Sequence, residues 1–195
     1  MLHKFYPIVP DAAWAARIVP LGVKTLQLRV KDADAATLSR EIAFALALCR
    51  QYDCQLIVND YWREAIELGA DFIHLGQEDL AEADLTAIRK AGLRLGISTH
   101  TPQELRIALE AKPDYVALGP IYETKLKIMK YPPQGLDCIG EWKRLIGCAL
   151  VAIGGITLER APAIFEAGAD SIAVVTDIIA SPNPEARVRR WLHSC

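Results

Sequence analysis

Residues 25–58 read TLQLRVKDADAATLSREIAFALALCRQYDCQLIV, and the pattern within them sets the class of the fold. Two short apolar runs, residues 25–30 and 55–58, flank a longer segment in which apolar residues recur with helical spacing. The apolar residues on one face of that segment are Leu38, Ile42, Leu46 and Cys49. Short, nearly all-apolar runs are typical of strands buried on both faces, and a helix is the usual crossover between parallel strands. The stretch therefore predicts a strand, a helix and a second, parallel strand.

The same unit recurs along the whole chain. The apolar runs are residues 5–9, 25–30, 55–58, 72–75, 94–98, 115–118, 149–153 and 171–175. Glycines such as Gly69 and Gly168 follow predicted helices, where a left-handed residue ends a helix before the next strand. Strands that alternate with helices form a parallel sheet, and eight units favour a closed barrel over an open sheet. The sequence predicts a single-domain (β/α)8 TIM barrel over residues 1–195.

The composition argues against several classes of function. The 22 basic and 24 acidic side chains nearly cancel, so no electrostatic reason exists to expect nucleic acid or an anionic membrane as partner. No apolar run approaches the roughly 20 residues of a spanning helix, and residues 1–5 precede no signal-peptide core. The five cysteines form no CxxC pair, so we expect reduced thiols in a cytoplasmic enzyme. A homo-oligomer is compatible with this composition.

Polar residues gather directly after the predicted strands. They are Lys31, Asn59, Asp60, Gln77, Glu78, Asp79, Ser98, Thr99, His100, Gly154, Gly155 and Thr176, with Thr124 and Lys127 in an irregular stretch, residues 120–135, after the sixth strand. The carboxyl ends of the strands of a barrel form one rim, which holds the active site in barrel enzymes. The turns from helix to strand carry mainly Gly and Ala. This asymmetry predicts an enzyme with its site on that rim.

Three residues of the second strand suggest an anion. Gln27, Arg29 and Lys31 alternate, so their side chains share one face, which must be the barrel interior because apolar helices cover the other face. Cationic side chains that point into the barrel need a negatively charged partner, since an unpaired buried charge is very costly. Two partners satisfy this need: the acidic groups of neighbouring strands, in a structural ion pair, or the phosphate of a ligand.

Two rim carboxylates suggest a metal. Asp60 and Asp79 follow adjacent strands, and few hard oxygen ligands from separate loops suit Mg²⁺ shared with a substrate phosphate. The structural alternative for Asp60 is an N-cap of the helix predicted at residues 62–68. The Gly154-Gly155 pair and Thr176 stand after the seventh and eighth strands, where barrels bind phosphate through backbone N–H groups. The alternative for the glycine pair is a tight turn with no ligand.

Seven segments of the chain, taken together, resemble the thiamine phosphate synthase family. The segments are residues 26–31 (LQLRVK), 58–60 (VND), 74–80 (HLGQEDL), 96–100 (GISTH), 118–120 (LGP), 152–156 (AIGGI) and 173–176 (AVVT). They stand at the predicted strand ends and cover nearly the whole chain. The resemblance implies condensation of hydroxymethylpyrimidine diphosphate with thiazole phosphate to give thiamine phosphate and pyrophosphate.

The resemblance also implies a role for individual residues. The residues implied for the pyrimidine diphosphate are Gln27, Leu28, Arg29, Val30, Lys31, Asn59, Ser98 and Lys127, of which Arg29, Lys31 and Lys127 are the catalytic cations. Those implied for the thiazole phosphate are Thr124, Lys125, Leu126, Gly155, Val175 and Thr176. Asp60 and Asp79 would bind one Mg²⁺ ion shared with the diphosphate. In this chemistry the pyrimidine methylene–oxygen bond breaks first, and the thiazole nitrogen captures the resulting cation.

One segment departs from the family pattern. Members usually carry Pro-Thr-x-Thr-Lys after the sixth strand, whereas residues 123–127 read ETKLK, with Glu123 for the proline and Leu126 for the second hydroxyl. Leu126 donates no hydrogen bond, so we expect weaker recognition of the thiazole than of the diphosphate. Two other functions stay open: a thiazole tautomerase-like relative, which tends to lack the metal and diphosphate residues present here, and a non-catalytic barrel that binds thiamine phosphates.

Overall fold

Eight parallel strands close into a barrel in sequence order, with β1 pairing to both β2 and β8. The structure is a computed structural model that describes residues 2–124 and 131–195. The strands are β1 (Phe5–Val9), β2 (Thr25–Leu28), β3 (Gln55–Asn59), β4 (Phe72–Leu75), β5 (Arg94–Thr99), β6 (Tyr115–Leu118), β7 (Ala149–Ile153) and β8 (Ser171–Val174). The helices are α1 (Ala12–Ile18), α2 (Ala35–Gln51), α3 (Trp62–Glu67), α4 (Gln77–Glu82), α5 (Leu85–Lys90), α6 (Pro102–Glu110), α7 (Gly135–Leu145), α8 (Ala161–Glu166), α9 (Thr176–Ile179) and α10 (Pro184–Ser194).

The predicted (β/α)8 barrel is confirmed, and each apolar run forms a strand. The largest difference is at β2, which ends at Leu28 although the apolar pattern continues to residue 30. The ladder does not stop abruptly there, because the backbone N–H of Arg29 still donates to the carbonyl of Val9 (2.8 Å). The chain leaves the sheet at this point because it climbs onto the rim, where Lys31 is exposed.

The side chains of the strands divide between two cores. The larger core lies between the strands and the surrounding helices and is almost wholly aliphatic. The smaller core fills the barrel and consists of Tyr6, Ile8, Ile57, Phe72, Tyr115, Ala117, Val151 and Ala173. Inward positions alternate with outward positions along each strand, as the pleat requires. The barrel is therefore a packed interior, and only its upper end is left for a site.

A glycine in β5 is required by this interior packing. A Cβ atom on Gly96 would overlap the ring of Tyr115, which lies across it from β6. Tyr115 is fully buried, and its ring lies edge-on to the ring of Tyr6 at 6.1 Å between centroids. Glycine at this position therefore makes room for an aromatic side chain inside the barrel.

The last helix, α10, closes the molecule against its first strand. The ring of Trp191 stacks on Phe5 of β1 at 5.2 Å between centroids. Arg187 donates to both oxygens of Asp177 and to both oxygens of Glu159, at 2.7–2.8 Å. Asp177 also accepts from the indole Nε1 of Trp191 (2.8 Å). These contacts tie α10 to the segments that follow β7 and β8.

None of the described helices is long and apolar enough to cross a membrane. All five cysteines are free. Cys49 and Cys54 are buried and serve as core residues, whereas Cys195 is exposed at the end of the chain. This agrees with the reduced thiols expected from the sequence.

Candidate functional site

The described polar residues that follow the strands all lie on one rim, since all eight strands are parallel and closed into one barrel. Gln27, Arg29 and Lys31 form a path from the interior to this rim: the first is buried, the second half-buried and the third exposed. Neither Arg29 nor Lys31 forms a direct ion pair with a carboxylate of the described residues. The charge of Arg29 nevertheless acts on Asp60 of the neighbouring strand, so the structural alternative keeps support beside that of a ligand anion.

Asp60 and Asp79 lie next to each other. Burial, together with the negative charge of Asp79, raises the pKa of Asp60 to about 6, and the positive charge of Arg29 acts in the opposite direction. A Cβ atom on Gly76 would lie 2.9 Å from Oδ2 of Asp79, so the glycine leaves room for that carboxylate. Two carboxylates that repel each other when no cation is present favour the binding of a cation between them.

Asp60 does not cap the helix that follows it. Helix α3 begins after Tyr61, and its N-cap position forms no side-chain hydrogen bond. Asp60 adopts a left-handed backbone conformation, with φ of 66°, which aspartate tolerates better than most residues. Its carboxylate is thus left for the rim. Within the described residues no group of three or more His, Cys, Asp or Glu side chains is placed to hold a metal.

The carboxyl ends of β7 and β8 present backbone N–H groups. Among bonds between described residues, none is donated by the N–H groups of Gly155, Val175 or Thr176. Gly155 has φ of 65°, and a Cβ atom there would overlap the carbonyl oxygen of Glu123. The glycine is therefore required by the chain passing over it, and the tight-turn alternative accounts for its residue type. The N–H groups that no described residue accepts are a separate feature, and donors of this kind suit an anion.

A buried chain of hydrogen bonds ends at this rim on Ser98. His74 contacts the hydroxyl of Ser98 through Nε2 (2.8 Å) and the hydroxyl of Tyr115 through Nδ1 (2.7 Å). Tyr115 contacts Tyr6 (2.9 Å), which accepts from Nε2 of Gln27 (2.6 Å). Burial, and to a smaller degree the charge of Arg29, lowers the pKa of His74 to about 3, so its ring is neutral at physiological pH. His74 is thus a hydrogen-bonded residue of the barrel interior.

His100 holds the stretch that follows β6. Its ring stacks on Tyr131 with 4.6 Å between centroids, and its backbone N–H and Nδ1 both contact Oε2 of Glu104. The hydroxyl of Tyr131 donates to Oε1 of the same carboxylate (2.7 Å). The N-cap of α6 is Thr101, and His100 packs against Tyr131.

Three predicted site residues, Lys125, Leu126 and Lys127, lie outside the described residues. Thr124, the last described residue before them, is half-buried beside the rim. The contacts of Tyr6, Tyr115, Glu104 and Tyr131 were not foreseen from the sequence. One signal was present: Tyr6 and Tyr115 share the inward parity of Gln27 and His74 on other strands, and buried polar atoms at inward positions need one another as partners.

Comparison with known proteins places these features in a family. The sequence model of the family described as thiamine monophosphate synthase matches residues 6–178. A thiamine-phosphate synthase of Rhizobium etli is 61% identical over 192 residues, which cover 98% of this chain and 94% of the relative. A thiamine-phosphate synthase of Cronobacter sakazakii is 49% identical over 188 residues, covering 96% and 90% of the two chains.

Solved structures share the architecture. A thiamine phosphate pyrophosphorylase from Pyrococcus furiosus superposes with a TM-score of 0.86 over 98% of this chain and 94% of that chain, at 24% identity. A 3-hexulose-6-phosphate synthase superposes with a TM-score of 0.68 over 97% and 98% of the two chains, at 13% identity. At these identities the likeness concerns the barrel fold alone.

Proposed function

Because this chain belongs to the thiamine monophosphate synthase family and is an enzyme of the transferase class, we propose that it joins hydroxymethylpyrimidine diphosphate to thiazole phosphate. The products are thiamine phosphate and pyrophosphate. One observation carries the proposal. The rim offers one set of anion-binding and cation-binding groups on β2, β3 and β4, and a second anion-binding set on β7 and β8. These strands lie across the barrel from each other, so two phosphorylated substrates fit on opposite sides of one mouth.

The pyrimidine diphosphate occupies the side of the rim formed by β2 to β5. Gln27 and the buried Asn59 face the ring from the interior, and Arg29, Lys31 and Ser98 contact the diphosphate. Lys127 joins them in this assignment, although it lies outside the described residues. The neighbouring backbone of Leu28 and Val30 lines the same side. Two observations support this assignment. Arg29 and Lys31 form no direct ion pair with a described carboxylate, and exposure to solvent increases from Gln27 to Lys31.

Asp60 and Asp79 are the residues that would hold Mg²⁺. Their closeness and the raised pKa of Asp60 fit a divalent cation, since the pair carries repulsion that a cation relieves. When bound, Mg²⁺ supplies positive charge that stabilises the departing diphosphate. One ion is expected, because the described residues contribute only this carboxylate pair and the diphosphate provides further oxygen ligands.

The thiazole phosphate occupies the opposite side of the rim. Its phosphate accepts from the backbone N–H groups of Gly155, Val175 and Thr176, and the hydroxyl of Thr176 adds a further donor. Thr124, together with Lys125 and Leu126 beyond the described residues, contacts the thiazole ring. The support is the set of N–H groups that donate to no other described residue.

The chain's own residues are suited to a reaction that passes through a cation. Arg29 and Lys31 neutralise negative charge as the methylene–oxygen bond to the diphosphate breaks. His74 stays neutral beside them, so it adds no positive charge near the pyrimidine cation. No strong base is needed, because the nucleophile is the lone pair of the thiazole nitrogen. The packed interior closes the site from below, so water could reach the cation only from the open side of the rim.

The test is formation of thiamine phosphate from both purified substrates with and without Mg²⁺. We expect turnover that depends on Mg²⁺ and is abolished in Asp60→Ala and in Asp79→Ala. The matched control is Glu82→Ala, which removes an exposed carboxylate from the same helix as Asp79 and is expected to keep full activity. Wild-type turnover in both aspartate variants at limiting Mg²⁺ would disprove the metal assignment.

The same assay distinguishes the alternatives. A thiazole tautomerase-like relative would convert the thiazole without the pyrimidine diphosphate, and a binding protein would bind thiamine phosphates without turnover. We also propose that the enzyme is a single domain that works in the reducing cytoplasm, which the five free cysteines support.

A further inference from the structure

A chain of hydrogen-bonded polar groups crosses the inside of the barrel from β2 to β5. It runs from the amide of Gln27 through the hydroxyls of Tyr6 and Tyr115 to the ring of His74, and ends on the hydroxyl of Ser98. The four contacts measure 2.6, 2.9, 2.7 and 2.8 Å. All members except Ser98 are buried, and Ser98 alone reaches the half-exposed rim. The hydrogen-bonded chain therefore connects the buried interior to the rim.

The first link sets the direction of every following link. In the amide orientation of the structure, Nε2 of Gln27 can only donate, so Tyr6 accepts there and its own hydrogen points to Tyr115. Tyr115 then accepts from Tyr6, and its hydrogen is left for Nδ1 of His74. An uncharged imidazole that accepts at Nδ1 carries its hydrogen on Nε2 and donates it to Ser98.

The consequence falls on Ser98. Its oxygen accepts from His74, so its own hydrogen is free to be donated elsewhere, and no described residue accepts it. If the ring of His74 had its hydrogen on Nδ1, Ser98 would instead donate inward to Nε2, and its lone pairs would face the rim. The tautomer of one buried ring therefore decides whether the rim meets a donor or an acceptor at Ser98.

We propose that Tyr115 is a positioning residue which, by donating to His74, keeps the hydroxyl of Ser98 as a donor to the bound diphosphate. The naming of the diphosphate as acceptor rests on the proposed function, whereas the tautomer of His74 does not. Burial raises the pKa of both Tyr6 and Tyr115, so these hydroxyls keep their hydrogens at physiological pH. Gly96 contributes to this arrangement, because a Cβ atom at position 96 would overlap the ring of Tyr115.

The first experiment needs no substrate. The ¹⁵N shifts of histidine in the ligand-free protein, with the His74 signals identified through His74→Asn, report which ring nitrogen carries the hydrogen. We expect hydrogen on Nε2 in the wild type. We expect the same in Tyr6→Phe, because the amide of Gln27 also donates to Tyr115 and leaves the hydrogen of Tyr115 for His74. In Tyr115→Phe the donor to Nδ1 is lost, and we expect both tautomers. A wild-type ring with its hydrogen on Nδ1 would overturn the proposal.

The second experiment is a pair of double-mutant cycles on kcat/KM for the pyrimidine diphosphate. We expect Tyr115→Phe to lower this value about tenfold, which corresponds to one hydrogen bond to a charged acceptor. In the Ser98→Ala background Tyr115→Phe should cause no further loss, because the hydroxyl that it orients is absent. Tyr6→Phe, which deletes the same group one link further away, should cause the same loss in both backgrounds.

A merely structural Tyr115 gives a different pattern. Its replacement would then lower stability and activity alike whether Ser98 is present or not, and this additive result would refute the positioning role. Failure of the proposed function is separable, since a wild type that forms no thiamine phosphate still yields the ¹⁵N result. Both tyrosine variants keep their rings and their packing, and urea unfolding of each checks that they are folded.

Discussion

Asp60 shows at the scale of one residue how a binding site costs stability. A folded-state pKa of about 6, against 3.8 for an ordinary aspartate, means that the folded chain holds this proton more tightly than the unfolded chain does. Stability therefore falls as the pH rises from about 4 to about 6 and stays lower at neutral pH. The cause is burial beside Asp79 without a cation. The same pair is the one proposed to hold the metal ion.

The first prediction follows from this sign. In the presence of a chelator at pH 7.5, Asp60→Asn should raise the free energy of unfolding by about 1–2 kcal/mol. This is less than the energy equivalent of the whole pKa shift, because solvent reaches the carboxylate pair and screens the repulsion. At pH 4 the variant and the wild type should unfold alike. Urea unfolding at both pH values measures this, with Glu82→Gln as the exposed control. Equal destabilisation of Asp60→Asn at both pH values would contradict the repulsion.

The second prediction concerns the cations of β2 and the rim. Arg29→Ala and Lys31→Ala should weaken the pyrimidine diphosphate at least tenfold, since each removes a charged partner of the diphosphate. The thiazole phosphate should bind nearly as in the wild type, because its phosphate lies across the mouth on β7 and β8. Calorimetric titration of each ligand measures both. Equal losses for the two ligands would disprove the division of the rim.

At the scale of elements, the segment after β6 is held by its neighbour β5 and by α6. Tyr131 stands directly after residues 125–130, stacks on His100 and donates to Glu104. The carbonyls of Pro120 and Ile121 accept from the backbone N–H groups of Gln134 and Gly135. Tyr131 is thus attached to His100 and Glu104, and we expect this attachment to matter for catalysis.

The third prediction tests that attachment. Tyr131→Phe keeps the ring stack and removes one hydrogen bond, so kcat/KM should fall severalfold, up to about tenfold. Tyr131→Ala removes the stack as well and should cost more. Tyr52→Phe is the matched control, because it deletes an exposed hydroxyl at the far end of α2. If Tyr131→Phe keeps wild-type kcat/KM, the attachment has no part in catalysis.

The elements also show what a sequence can and cannot predict. Apolar runs such as residues 149–153 predicted the strands, because burial on both faces favours apolar side chains. The rim residues followed from parallel geometry alone, since Asp60 and Asp79 each come directly after a strand. The contact between Tyr131 and Glu104 did not follow, because a bond across 27 residues depends on where a loop returns. The order of donors from Gln27 to Ser98 likewise depends on five strands meeting inside one barrel.

At the scale of the whole molecule, the network around Arg187 attaches the last helix to the barrel. This guanidinium and the carboxylate of Asp177 are 13% and 10% exposed and 2.7 Å apart, while Glu159 adds a second, more exposed carboxylate. Such a pair is shielded from water, so removing one partner leaves an uncompensated charge. The network joins the last helix to the segments after β7 and β8, beside the seam between the first and last strands.

The fourth prediction is that Arg187→Ala lowers the free energy of unfolding by about 2–4 kcal/mol, since Asp177 would lose its main partner. Arg190→Ala is the matched control, because Arg190 is 63% exposed and 3.5 Å from Glu159. It should change stability by less than about 0.5 kcal/mol. Urea denaturation of both variants measures the difference. Similar losses in the two variants would mean that charge at this end of α10, rather than the buried pair, determines stability.

The overlap between Gly96 and the ring of Tyr115 also constrains how this barrel can change over generations. A mutation that adds a side chain at position 96 is opposed while the tyrosine remains, because the fully buried ring of Tyr115 would have to move. A smaller residue at position 115 leaves a cavity, which is costly but survivable. Lineages that fill the barrel differently must therefore alter β6 before β5. Among descendants of such a barrel, a large residue at position 96 or 115 should therefore occur together with a small residue at the other position.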